Sequence, residues 1–488
     1  MASSTFWGRY DIRAVVGENF GAIQYRLIGK AYARFLKSNL ESAQQEDLWV
    51  SVGFDARLHS TELVQALTEG LTNEGINVVD LGLSTSPLVY FSEHLSAINP
   101  AFPDVQGAIM VTASHNPSEY NGVKFTFRKH SLSDAEFNDL KNQYYALKDE
   151  DPHFKGPLGK TLSYNVIPEY LNWFGQHFGA IGKEIKVVVD SGNATAGIVA
   201  PDAFRLLGCE VVELFSEPDG RFPNHHPDPC VHHNLRFLIE KVKDSGADIG
   251  IAFDGDSDRL GIVDEKGRIL PGDLITLFLS ENVLSERPDS TVVFDIKSTQ
   301  TIFEYIKNIN GVALLAPSGH AFMKRIMKEK DLSLGGELSG HIFFRDRHWG
   351  FDDALYAGCR FIESFALKQG QCSDYTLSRF ADSLPQTLIS EEIRIHCTKE
   401  QGSTLIASIE AAVLQDSFYF GAPLSDILKI DGLRINIENG FFLIRQSNTE
   451  PCITLRFEAP DEATYKIIEN RIAQFRSQLE EAVVSMLH

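Results

Sequence analysis

Three carboxylates within five residues form the loudest chemical signal in the sequence. In Ile249-Gly-Ile-Ala-Phe-Asp254-Gly-Asp256-Ser-Asp258-Arg259 they follow an apolar run at i, i+2 and i+4. Like charges this close repel unless a cation neutralises them, and oxygen donors suit a hard ion such as Mg2+ or Ca2+. Coming straight after a strand, the three carboxylates crowd one tight loop, and in an extended segment side chains two apart also point the same way. The bland alternative is a solvated acidic turn. An EF-hand fails, because Arg259 stands where that loop needs Gly and the flanks read as strands.

A second group places a hydroxyl, an imidazole and an amine close together. Val111-Thr-Ala-Ser114-His115-Asn116-Pro117, with Asn121-Gly122-Val-Lys124 after it, follows the apolar Ala108-Ile-Met-Val. Adjacency of Ser and His in sequence does not build a base–nucleophile hydrogen bond, and an Asn-Pro turn equally explains Asn116 and Pro117. Arg445-Gln-Ser447-Asn448-Thr449-Glu-Pro, with Arg456 beyond, joins Arg to hydroxyls and an amide in a turn. Backbone amides plus Arg make a phosphate cradle, although a polar hairpin reads the same way. Leu334-Gly-Gly-Glu337-Leu-Ser339-Gly-His341 presents groups that can bond sugar hydroxyls, on a common kind of glycine turn. Pro223-Asn-His225-His226-Pro-Asp-Pro-Cys230-Val-His232-His233 matches no tetrahedral zinc spacing and reads as a structural loop.

These loops need elements to carry them, and one pattern recurs three times. Leu48 to Asp55 is an apolar run ending in an acid, then Ser60 as a helix cap, Leu63, Leu67 and Leu71 at helical spacing, Gly75, and a second apolar run to Leu81. Lys186 to Asp190, with Ala203, Phe204, Leu207, Gly208 and Cys209 to Leu214, repeats it, as does Val292 to Asp295 with Ile302, Tyr305, Ile306, Gly311 and Val312 to Leu315. Strand, acid, polar turn, helix, Gly, strand is the mark of α/β units, whose ligands sit at the carboxyl ends of strands. After about residue 386 the texture changes. Glu391 to His396 and Leu433 to Glu438 alternate apolar with polar, as half-exposed antiparallel strands do. Tyr465, Ile468, Ile472, Phe475, Leu479 and Val483 predict an amphipathic helix packed on that sheet.

Composition bounds the function. The 488 residues predict about three to four domains. With 45 Lys+Arg against 66 Asp+Glu, the net charge of −21 excludes a broad basic face for nucleic acid or an anionic membrane. A local positive cleft within an acidic surface is still expected. Six scattered cysteines without a C-x-x-C pair, no signal-like start and no membrane-length apolar run predict a reduced, soluble, cytoplasmic protein.

Taken together, the motifs resemble the α-D-phosphohexomutase superfamily from end to end, nearest its bacterial phosphomannomutase/phosphoglucomutase branch. Thr112 to Pro117 is similar to its phosphoserine loop, Asp254 to Arg259 to its metal loop, Gly336 to His341 to its sugar-binding loop, and Arg445 to Thr449 to its phosphate-binding loop. The resemblance implies an α/β fold with three similar mixed α/β sheet domains plus a C-terminal α+β domain around a central cleft. Expected boundaries are 1–162, 163–268, 269–385 and 386–488, carrying those four loops in that order. It implies reversible conversion of hexose 1-phosphate and hexose 6-phosphate (mannose and/or glucose) through phosphoserine and a 1,6-bisphosphate that reorients in the site.

The implied metal ligands for one Mg2+ are Ser114, Asp254, Asp256 and Asp258, and the bisphosphate serves as intermediate and activator. His115, Lys124, Arg259 and His320 join Ser114 in the catalytic group, with Lys124 or His320 as acid/base. Tyr10, Arg13, Lys297, Glu337, Ser339, His341, Arg445, Ser447, Asn448 and Thr449 are implied to contact substrate. Small-molecule sugar phosphates are the expected partners, with no nucleic acid or membrane, and a monomer or weak dimer is the expected form. Ala14, Leu338, Glu450 and Val231-His232-His233 depart from the pattern, and only Glu450 adds charge to a phosphate loop. Two rivals are a phosphatase or phosphotransferase using Asp254 as nucleophile, which wants Thr or Val where Asp258 stands, and a non-catalytic sugar-phosphate-binding protein.

Overall fold

A computed structural model describes residues 6–17, 19–41, 47–147, 157–446 and 451–486, with side chains up to residue 479. It forms two compact units, Met1–Ile275 with Ser339–Ser378, and Thr276–Leu338 with Arg379–His488. No helix among the described residues is long and apolar enough to cross a membrane.

The first unit holds two mixed sheets. In one the strand order is Ile12–Val15, Tyr120–Phe127, Gly107–Val111, Trp49–Phe54, Asn77–Leu83, Thr161–Ser163. Tyr120–Phe127 runs antiparallel to both neighbours, whereas the strands beyond Gly107–Val111 pair parallel. The other runs Ile269–Leu270, Leu260–Asp264, Ile249–Phe253, Lys186–Asp190, Glu210–Leu214, again part antiparallel and part parallel. Helices Ala22–Asn39 and Ser60–Asn73 cover the first sheet and approach each other closely: a Cβ at Gly29 would lie 2.2 Å from the Leu67 carbonyl oxygen.

The second unit holds Thr291–Asp295 parallel to both Val312–Ala316 and Leu334–Gly336. Its other sheet is antiparallel, in the order Leu388–Ile389, Cys452–Ala459, Gly440–Gln446, Leu433–Ile437, Leu424–Leu428, with Ile393–His396 also paired to Cys452–Ala459. Helix Glu462–Met486 turns Ile468, Ile472, Phe475 and Leu479 into that sheet's core. The side chain of Val483 lies outside the described residues. The described residues thus form a four-sheet α/β protein in which the last sheet differs from the other three.

The thrice-recurring pattern is real local structure. Trp49–Phe54, Lys186–Asp190 and Thr291–Asp295 each pair in parallel with the strand that follows the next helix. Each carboxyl end carries a buried acid, Asp55, Asp190 or Asp295. The acidic loop is the tight loop expected, with Ser257 in the left-handed region at φ 65°, and two expectations need correction. Ser60 is the first residue of its helix, not the cap, and its hydroxyl donates to Asp55 Oδ1 at 2.7 Å. Leu433–Ile437 is buried on both faces, so Arg434 and Asn436 are interior residues.

Candidate active site

The acidic turn joins strands Ile249–Phe253 and Leu260–Asp264, and its three aspartates are fully buried. One carboxylate oxygen from each lies within 4.8 Å of the others. Ser114 follows strand Gly107–Val111, and its hydroxyl donates to Asp254 Oδ2 at 2.7 Å while lying 3.1 Å from His115 Nδ1. Lys124 rises from the neighbouring strand and donates to Asp256 Oδ2 at 2.6 Å and Asp258 Oδ2 at 2.5 Å. Ser86 adds a bond to Asp256 Oδ2 at 2.6 Å. Sequence segments some 140 residues apart therefore meet at one point.

Electrostatics follow from this crowding. Burial, then the charges of Asp258 and Asp256, push the Asp254 carboxyl well above the usual carboxylate range. Burial alone would raise Asp258 as well, but Lys124, His341 and Arg259 hold it well below that range. Burial would lower Lys124, yet the two aspartates outweigh it and keep it an ammonium. Burial, with Arg259 and Arg13 nearby, holds His115 well below the usual imidazole range, so its ring is neutral.

Does the donor set fit a divalent cation? Asp256 Oδ1 is buried without a hydrogen-bond partner among the described residues, and an unmatched buried carboxylate oxygen is costly. Three aspartates and a hydroxyl are hard oxygen donors, and their shared charge exceeds what Lys124 alone offsets. The residues fit the metal.

The Ser114 loop is held under strain. Ser114 itself sits at φ 51°, a conformation costing a non-glycine residue about 1–3 kcal/mol. Thr112 Oγ1 accepts from the Ser114 N–H at 2.8 Å. Arg57, buried and paired to Asp55 at 3.0 Å, donates to the carbonyls of Ser114 at 2.7 Å and Asn116 at 2.5 Å, and also to those of Pro117 and Tyr120. Asp55 in turn accepts from Thr112 Oγ1 at 2.7 Å. Sequence reasoning noted Asp55 only as a strand-end acid and missed Arg57. The available signal was an arginine two residues beyond that acid. Gly255 completes the packing, since a Cβ there would lie 2.3 Å from the Ser114 carbonyl oxygen.

Other implied residues gather around this centre. Arg13 Nη1 donates to Asn116 Oδ1 at 2.8 Å and Ala113 O at 3.3 Å, with half-buried Tyr10 three residues earlier. Arg259 pairs in a backbone bridge with His341, and the two side chains lie 3.4 Å apart. His341 Nε2 is 3.3 Å from Asp258 Oδ1, and Ser339 Oγ is 3.1 Å from His341 Nδ1. Asp352, buried and unremarked in the sequence, shares a cluster with Asp258 and His341. The His225-His226 loop is structural as expected: His225 Nε2 meets Asp190 Oδ1 at 3.0 Å, and His226 Nε2 meets the His115 carbonyl.

In the second unit, Asp295 organises a separate group. It accepts from Ser298 Oγ at 3.0 Å, Ser318 Oγ at 2.9 Å and the Leu338 N–H at 3.3 Å, with Lys297 Nζ 3.9 Å away. Glu337, buried, accepts from the Gly319 N–H at 2.5 Å, next to buried His320 at the start of helix His320–Glu329. Arg445 Nη2 donates to Asp431 Oδ2 at 2.5 Å, while its buried Nε has no hydrogen-bond partner among the described residues. Ser447, Asn448, Thr449 and Glu450 lie outside the described residues. They connect two strands that pair at Gln446 and Ile453.

Comparison with known proteins agrees along the whole length. Residues 5–149, 168–267 and 271–386 match the phosphoglucomutase/phosphomannomutase alpha/beta/alpha domains I, II and III, and residues 392–475 match the C-terminal domain of the same family. The chain is 38% identical to a phosphomannomutase/phosphoglucomutase of Pseudomonas putida, over 96% of this chain and 94% of that one. It is 36% identical to a phosphoglucomutase of Neisseria gonorrhoeae, covering 96% and 97%. A solved phosphoglucomutase/phosphomannomutase family protein from Burkholderia thailandensis is 34% identical with a TM-score of 0.86, covering 98% of both chains.

Proposed function

This chain belongs to the phosphoglucomutase/phosphomannomutase family of the α-D-phosphohexomutase superfamily and is an isomerase of hexose phosphates, and we propose how its residues divide that reaction. Ser114 carries the phosphoryl group. Asp254, Asp256 and Asp258, with an oxygen on Ser114, would hold one Mg2+. When bound, that ion neutralises charge on the transferring group. Arg13, Arg259 and Lys124 surround the phosphoryl, and Arg57 fixes the loop that presents it.

Transfer breaks the phosphorus–Oγ bond of Ser114 and forms a bond to the free hydroxyl of the sugar phosphate; with Lys124 or His320 as acid/base, the hydroxyl's proton goes either to a neutral His320 or to Lys124 once its ammonium has given a proton to the leaving Oγ. The 1,6-bisphosphate then turns end for end, returns its other phosphoryl to Ser114, and serves as activator when supplied from outside. Arg445, Ser447, Asn448, Thr449 and Lys297 grip the non-transferring phosphate, with Tyr10 also on substrate. Glu337 and Ser339 read the two sugar hydroxyls that exchange places on reorientation, so a sugar differing only at C2 is accepted, and His341 also contacts substrate. The domain limits 1–162, 163–268, 269–385 and 386–488 belong to the same reading, as do sugar phosphates as partners and a monomer or weak dimer. The six cysteines are scattered without a C-x-x-C pair, which supports a reduced, cytoplasmic setting.

One observation carries the assignment: a hydroxyl strained into the left-handed region and bonded to one of three converging aspartates. Freshly purified protein should show one added phosphoryl group by intact mass, localised to Ser114. Ser114→Ala should lose it together with turnover of both mannose and glucose 1-phosphates. Phosphate absent from the active wild type, or on Asp254, would sink the phosphoserine reading, and one inactive sugar would sink the dual specificity.

A further inference from the structure

Arg434 is the least expected interior residue in the second unit. Its side chain is completely buried, and one of its nitrogens, Nη1, donates to the carbonyls of Ile296 at 2.6 Å and Ser298 at 2.7 Å. Those two residues are the immediate neighbours of Lys297, so a single guanidinium nitrogen brackets the backbone on both sides of that lysine. Nη2 reaches Gln300 Oε1 at 3.1 Å, and Nε donates to Asn436 Oδ1 at 2.8 Å. The guanidinium lies 3.9 Å from the centre of the Phe441 ring, in stacking range.

Strand pairing shows what the arginine stands on. Asn436 faces Phe441, and Phe441 faces Glu458, in one cross-strand row. Glu458 is also fully buried, and it takes the far end of the same loop: Thr299 Oγ1 at 2.8 Å and the Gln300 N–H at 2.7 Å. It further accepts from Thr387 Oγ1 at 2.6 Å. Loop 296–300 thus rests on one face of the C-terminal sheet, with a cation at one end and an anion at the other. Side chains two apart along a strand share a face, so Arg445 on Gly440–Gln446 shares the face of Phe441 and Leu443. The platform that fixes the Lys297 backbone is continuous with the strand that presents Arg445.

We propose that Arg434, assisted by Glu458, is a positioning residue: it sets Lys297 at a fixed spacing from the Arg445 strand, so that both cations meet the same sugar phosphate. This rests on the reading of Lys297 as a substrate contact. Positioning of a binding group should appear in KM far more than in kcat, because Lys297 grips substrate without taking part in bond breaking.

The test is a double-mutant cycle on steady-state kinetics with hexose 1-phosphate, using Arg434→Met and Lys297→Met in the full chain. Arg434→Met should raise KM about tenfold with kcat nearly unchanged, and add less than about twofold when Lys297 is already Met. Equal KM factors in both backgrounds, with Lys297→Met itself raising KM, would overturn the positioning role alone. No KM change from Lys297→Met would sink the reading of Lys297 and the proposal with it. Should Arg434→Met fail to fold, Glu458→Gln, which keeps shape but weakens the anionic end, runs the same cycle with an expected KM rise of about threefold. An unchanged KM there overturns the proposal.

Discussion

Two buried arginines hold loops by their backbone carbonyls, and they do so from opposite starting points. Arg57 holds the Ser114 loop, and its counter-charge Asp55 lies two residues away at the end of the same strand. Arg434 holds the Lys297 loop from a strand well over a hundred residues further along, and leans on Asn436 and the face of Phe441. The first clamp is assembled as soon as its sheet forms. The second exists only when the C-terminal sheet has folded against its neighbour in the same unit. On the proposed mechanism a nucleophile benefits from the self-contained clamp, since the strain at Ser114 must then persist through every turnover. A binding cation can depend on a remote one.

The sharpest way to break this comparison is Arg57→Leu. It leaves Asp55 buried without its cation, for which about 3–5 kcal/mol of stability should be lost, measured by denaturant unfolding. Unchanged stability and turnover would show that the Asp55–Arg57 pair does not hold the loop.

Acid should weaken the unit containing Arg57 through a different cluster. Burial, then the charges of Lys129 and His348, lowers His94 to about 3, and its ring stacks on Trp349. Burial likewise lowers His177 to about 4. Each folded value lies below the ordinary 6.5, so the stabilisation is intact above 6.5 and drains away as pH falls toward those values. At about pH 5, His94 should cost about 2 kcal/mol, and half-buried His177 less. Melting temperature against pH checks this, and His94→Phe should flatten the slope. A slope unchanged by that substitution would remove His94 as its source.

The smallest expected effect separates the two loops kinetically. Gly255→Ala drives a methyl to 2.3 Å from the Ser114 carbonyl oxygen, displacing the Ser114 loop without removing any polar group. We expect kcat to fall about tenfold with KM nearly constant, the reverse of the Arg434 signature. A KM effect instead would mean that the Ser114 loop also sets substrate affinity.

The residues legible in the sequence share one property: their chemistry is contiguous. Asp254, Asp256 and Asp258 advertise themselves because repulsion among neighbouring carboxylates is unexplained without a cation. Asp55, Asp190 and Asp295 were visible as strand-end acids, but their work differs. Asp55 braces Arg57 and Thr112, Asp190 receives His225, and Asp295 ties Ser298, Ser318 and Leu338 together. Period-two alternation misread Leu433 to Glu438 as half-exposed, because the polar face of that strand is covered by a loop rather than by water. Pattern reports which side a residue faces and says nothing about what lies there.

The order of motifs, the repeated strand–acid–helix unit and the hard-oxygen character of the acidic loop are properties of neighbouring residues, and the sequence by itself determined them. The placement of Lys124 between two aspartates, of Arg57 under the Ser114 loop and of Arg434 around Lys297 was decided only by tertiary structure. These contacts join segments separated by tens to well over a hundred residues. A buried charge takes the acceptors that the fold delivers to it, and no local spacing encodes which carbonyls those will be.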